Sequence, residues 1–164
     1  LFILITQRPE KLLSTIRSRC QIVPFIRLKD NQVNKIIQEL KDEQELNDIP
    51  REKIRELISF SNGSPGRYLN NLQYWLGIPS DLRQKLEIKF TSHIEALKLA
   101  KEITDDLNIE EQLWFIDFQQ NVIWEREHNS NMVKKLENLR KHLLTYVQPR
   151  LAWEVALLDI NFAN

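Results

Sequence analysis

Only three glycines, Gly63, Gly66 and Gly77, occur in 164 residues, and none follows Gly77. Loops that cradle a phosphate need glycine, because the main chain must turn through left-handed backbone and approach the ligand closely. None of the three is followed by lysine, so a GxxxxGK[ST] phosphate loop and a GxGxxG dinucleotide loop are both absent. The chain on its own is therefore expected to bind no ATP and to be catalytically inactive. A long glycine-free stretch also favours helices over tight hairpins, and the apolar residues bear this out.

From Lys29 the apolar residues fall at helical spacing: Val33, Ile36, Ile37 and Leu40 occupy i, i+3, i+4 and i+7. A polar loop over residues 43–50 ends that helix. A second follows over 51–60 with Ile54, Leu57 and Ile58 on its apolar side, and a third runs from Arg67 to about Leu76 after the turn Gly63-Ser64-Pro65-Gly66. Gly77-Ile78-Pro79-Ser80 is the clearest interior break and is read as a domain boundary. Beyond it helices are expected at about 80–90, 91–107, 109–127, 131–147 and 149–162, opened by Ser80, Ser92, Asn108, Ser130 or Asn131, and Pro149. The last is apolar around most of its circumference and is expected to be buried on more than one side, within this subunit or between subunits.

The first residues differ. Residues 1–5, Leu-Phe-Ile-Leu-Ile, read as a strand apolar on both faces, the pattern of a strand inside a parallel sheet. Nothing downstream supplies its neighbours, so the chain is read as the C-terminal part of something longer. A short helix over 10–16 and a second strand at about 21–25 complete this piece. Residues 1–28 carry Arg8, Lys11, Arg17, Arg19 and Arg27 against Glu10, a net of +4 (5 − 1), so the remainder is −4 in a chain of zero net charge.

That balance gives no general attraction to nucleic acid or anionic lipid. Cys20 is the only cysteine, which excludes an internal disulfide and a cysteine-rich zinc site, and His93, His128 and His142 are too scattered for a helical metal site. No metal site is expected. The longest apolar run is five residues, far below the roughly 20 that span a bilayer. Trp114, Phe115, Phe118 and Trp124 have Asp117, Glu125 and Glu127 as charged neighbours and Arg126 as a lone basic one, so packing is favoured over base stacking. Lys134, Lys135, Arg140 and Lys141 form a modest basic stripe, read as a solvated helix face. Asp105, Asp106, Glu110 and Glu111 are assigned no acid–base chemistry.

The string Leu4-Ile5-Thr6, Pro9-Glu10-Lys11-Leu12-Leu13, Thr15-Ile16-Arg17-Ser18-Arg19-Cys20-Gln21 resembles the region around the Ser-Arg-Cys motif of bacterial clamp-loader subunits, members of the AAA+ superfamily. The resemblance implies that Arg19, within the Ser18-Arg19-Cys20 motif, is an arginine finger presented to a neighbouring subunit, and that Thr6 occupies the sensor 1 position. A planar, permanently charged guanidinium suits the spread negative charge of a phosphoryl group in transfer. Gly63-Ser64-Pro65-Gly66-Arg67 is similar to the family's sensor 2 region, with Arg67 directed at a phosphate. Gln148-Pro149-Arg150-Leu151-Ala152-Trp153-Glu154 is similar to the opening of the final collar helix in the delta-prime type, although Gln148 stands where asparagine is more usual.

The family pattern implies a mainly α chain: a short α/β remnant of an AAA+ core over 1–28, a three-helix lid over 29–77 and a helical collar over 78–164. It further implies a cytoplasmic subunit of the DNA polymerase III clamp loader, assembled with gamma/tau and delta types. Through that complex it would reach the sliding clamp and primed DNA, with ATP and magnesium at sites of the assembly. Two alternatives stay open, a fragment of a gamma/tau-like motor subunit and a stand-alone helical adaptor for protein or nucleic acid.

Overall fold

The computed structural model describes residues 2–40, 49–87, 92–145 and 148–162. Among them are nine α-helices and no strand. The mainly α expectation holds. Leu1, most of the expected 43–50 loop, the end of the 80–90 helix, and Tyr146 and Val147 lie outside the described residues.

The two expected strands are not formed. Residues 2–5 and 21–25 have no sheet pairing, and Phe2, Ile5 and Phe25 are almost wholly exposed. A strand closes its backbone hydrogen bonds only on a neighbour, and no described segment of this chain offers one. The helix expected over 10–16 is broken: a 3-10 turn spans Pro9–Lys11 and α1 spans Ser14–Arg17, with Leu12 and Leu13 extended between them.

From Asp30 onward the helical periodicity is realised. Helix α2 (Asp30–Leu40) buries Val33 and Ile37, and α3 (Arg51–Ser61) buries Leu57 and Ile58. Helix α4 (Pro65–Gly77) starts two residues before Arg67, because Ser64 caps it, accepting the Arg67 N–H at 3.4 Å, and Pro65 fits the first helical position. Helices α5 (Ser80–Glu87), α6 (His93–Asp106), α7 (Ile109–Glu127), α8 (Ser130–Leu144) and α9 (Pro149–Phe162) follow. Ser92 caps α6 as expected, and Asn108 with Glu111 forms a reciprocal capping box at the start of α7. Ser80 lies inside α5 rather than capping it, and Asn129 rather than Ser130 or Asn131 caps α8 through the Met132 N–H at 3.1 Å.

Helix α7 holds the structure together. It packs against α3 on one side and α8 on another, while α9 lies against α8 and α6, and α5 against α6. The core of 30–77 and that of 78–162 form one apolar cluster, which includes Leu72, Ile78, Leu82, Trp114 and Phe118. Between α5 and the preceding helix the connection is short, and Ile78 within it is buried in that cluster.

Two buried polar links cross the helices. The Trp114 indole N–H donates to Asn71 Oδ1 at 3.0 Å, joining α7 to α4. Buried Gln112 donates to the Leu107 carbonyl at 2.7 Å and accepts the Trp153 indole N–H at 2.9 Å, joining α7 to α9. Each satisfies groups whose burial would otherwise be costly.

Candidate functional site

Three places hold the residues singled out in the sequence. The first is the N-terminal piece. The Ser18 hydroxyl donates to the Thr15 carbonyl at 3.2 Å, and the Arg19 and Cys20 N–H groups close onto the carbonyls of Ile16 and Arg17. These bonds turn the chain sharply after α1 and leave the side chains of Ser18, Arg19 and Cys20 exposed. Among the described residues neither Arg17 nor Arg19 has an ion-pair partner, so both guanidinium groups face solvent. The Thr6 hydroxyl accepts the Arg8 N–H at 3.1 Å and is exposed.

The second place is the turn between α3 and α4. Asn62 and Gly63 take left-handed backbone there, at φ 52° and 74°. Gly63 lies so close to the segment before α2 that a Cβ would stand 2.4 Å from the Leu28 carbonyl oxygen. The Leu28 N–H donates to the Gly63 carbonyl at 3.0 Å, and Arg27 Nη1 donates to Asn62 Oδ1 at 2.7 Å. A cleft of about 540 Å³ opens at this joint, with Arg27, Asp30, Asn62, Arg67, Asn121 and Glu125 among its lining. The structure thus brings Arg67 together with Arg27, which the sequence reading had not selected, and with two carboxylates. Thr6, Ser18, Arg19 and Cys20 do not line this cleft. Beside Arg67, the Tyr68 ring is fully buried, and desolvation raises its phenol above the usual tyrosine range.

Gly63 and Gly66 give a matched pair of substitutions at this joint. Gly63→Ala is expected to cost about 1–3 kcal/mol, from positive φ and the clash with Leu28. Gly66→Ala, which meets nothing within 4 Å, is expected to be near neutral or slightly stabilising. Denaturant midpoints of the two variants check this, and equal midpoints would contradict the close approach.

The third place is the outer side of α9. Ala152, Trp153, Ala156 and Leu157 are buried, while Leu151 and Val155, one turn apart on the opposite side, are 51% and 56% exposed. Leu144 at the end of α8, and Ile94 on α6, are exposed as well. Within this chain α9 is buried where it packs against α6 and α8, and its Leu151 and Val155 side stays exposed.

The remaining sequence candidates are resolved by packing. Trp114, Phe115 and Phe118 are core residues; Trp124 is half exposed, with its ring 5.4 Å from that of His128. Of the basic stripe, Lys135 binds the Asp159 carbonyl at 2.7 Å and Arg140 Nε the Asp117 carboxylate at 2.9 Å. These two cations tie helices together rather than standing free for a ligand. Among the described residues no cluster of three or more His, Cys, Asp or Glu side chains could hold a metal, and no helix is long and apolar enough to cross a membrane.

A family model for the C-terminal domain of cyanobacterial DNA polymerase III delta prime matches residues 31–160. Comparison with curated proteins gives no match, and comparison with solved structures gives none.

Proposed function

The chain belongs to the family of the C-terminal domain of cyanobacterial DNA polymerase III delta prime, and from that premise we propose that it builds the loader ring through its helical domain and offers Arg19 to an ATP held by the next subunit. Membership makes it part of a DNA polymerase III subunit that works with other loader subunits, and it favours the delta-prime reading over a gamma/tau-like fragment or an independent adaptor. The observation that carries the assembly role is the outward apolar side of α9, Leu151 and Val155, on a helix whose other face is already packed. Two half-exposed aliphatic side chains one turn apart leave an apolar strip on this helix, and that strip supports the assembly reading.

The finer assignments rest on the resemblance of the N-terminal string, which lies before the matched residues. Arg19 supplies the finger, with Ser18 and Cys20 fixing its place in the turn. Thr6 and Arg67 serve on their own subunit's nucleotide side as sensor positions. ATP and magnesium belong to sites of the assembled complex, and the sliding clamp and primed DNA are reached through that complex.

The test is assembly. In the full-length subunit, Leu151→Asp with Val155→Asp is expected to weaken incorporation into the loader by about 100-fold, the effect of losing a central apolar anchor. Because both side chains are half exposed, the variant's own melting temperature should stay close to that of the unaltered subunit. Native mass spectrometry of the mixed subunits reads the result. Unchanged assembly would remove α9 from the interface.

A further inference from the structure

Four charged side chains meet where α3 crosses α7. The Glu56 carboxylate is nine-tenths buried, with Lys53 Nζ 2.8 Å from its Oε2 and Arg126 of α7 bonded to its Oε1. Arg126 also reaches Glu52 at 2.6 Å, where the carboxylate is 74% exposed. Lys53 is itself nine-tenths buried and lies over two aromatic faces, 4.6 Å from the Trp75 ring and 5.4 Å from that of Phe118. Glu56 Oε2 has no aligned hydrogen-bond donor, so its contact with Lys53 is ionic.

We propose that Glu56 is a clasp between α3 and α7, so that these two helices and the apolar cluster they share open and close as one body. A buried carboxylate tolerates its desolvation only while its cations stay in place. Swinging α3 away from α7 would strip Arg126 from Glu56. The same motion would pull Lys53 off the Phe118 face and part Phe60 from Phe118, whose rings lie 5.6 Å apart. Glu52, largely in water, contributes little to this. One consequence rests on the proposed function: movement linked to a neighbour's ATP would be taken up before Asp30. That segment is tied to the body by the Arg27 to Asn62 and Leu28 to Gly63 bonds and by packing of Leu28 on the apolar cluster.

The clasp is tested in the full chain without any loader partner, so its failure is distinct from failure of the loader reading. A double-mutant cycle of Glu56→Gln and Arg126→Met is read by thermal melting. Each single substitution is expected to lower Tm by several degrees, and the double variant no further than the worse single. Glu52→Gln should leave Tm nearly unchanged. Additive shifts would overturn the proposal. Hydrogen exchange of the unaltered chain gives a second measurement that does not depend on the variants folding. The amides of Leu57 and Ile58 in α3 and of Ile116 and Phe118 in α7 should show protection equal to within about tenfold, as groups opening in one cooperative step do. Exchange of the α3 amides through a separate, easier opening that leaves α7 protected would also overturn it.

Discussion

Phe118→Ala is expected to remove about 3–5 kcal/mol of stability, the range for truncating a buried aromatic residue. Phe118 is fully buried, and three rings surround it: Trp114 stacked at 5.4 Å, Phe60 edge-on at 5.6 Å and Trp75 at 5.9 Å. These rings come from α3, α4 and α7, so the cavity would open where the two parts of the chain join. The Lys53 ammonium, 5.4 Å from the Phe118 ring, would lose one of its aromatic faces as well. Urea titration should show a lower midpoint with an unchanged slope, since the variant would unfold in a single step as before. Trp124→Ala, at a half-exposed position on the same helix, should cost less than about 1 kcal/mol. A Phe118→Ala loss as small as that would mean that the aromatic cluster does not hold the two parts together.

The helices were legible because their signal is local. Val33 and Ile37, or Leu57 and Ile58, repeat at the spacing that places them on one buried face, and Asn108 with Glu111 spells a capping box. Where several polar residues adjoin a helix start, the choice among them was not legible: Asn129, Ser130 and Asn131 all suit a cap, and geometry alone selects Asn129. The strands failed for the opposite reason. Residues 2–5 have strand composition, but a strand is made by its partner, and the described residues contain none.

At the candidate sites the same division holds. Packing of Trp114 and Phe115 followed from their acidic neighbourhood, whereas Arg67 was singled out only by the family resemblance of the Gly63 to Arg67 stretch. Arg27 was missed because its partner, Asn62, is 35 positions away. Gln112 and Asn71 were missed because a buried amide is written like a surface one until the indoles of Trp153 and Trp114 are seen against them. Lys53 and Glu56, three apart on α3, carry the pattern of a solvated pair, and only the crossing of α7 buries them.

The functional account turns on Arg19, which is exposed at the turn after α1 and has no ion-pair partner among the described residues. Arg19→Ala in the full-length subunit should leave assembly intact, because the apolar side chains proposed to make the contact, Leu151 and Val155, are on α9 and not at this turn. ATP turnover at the adjoining site should fall by about 10³–10⁵, the contribution of an arginine that neutralises charge on a phosphoryl group in transfer. Turnover of the whole machine would fall less, to the extent that ATP sites not served by Arg19 stay active. Arg19→Lys should not restore the rate fully, because an ammonium keeps the charge and loses the planar fork. Arg17→Ala, two residues away at the exposed end of α1, should have much less effect. The most direct measurement is ATP hydrolysis at that adjoining site in a verified loader assembly stimulated by clamp and DNA. A collapse with Arg19→Ala alone is the predicted result, and equal hydrolysis by the unaltered and Arg19→Ala assemblies would contradict it.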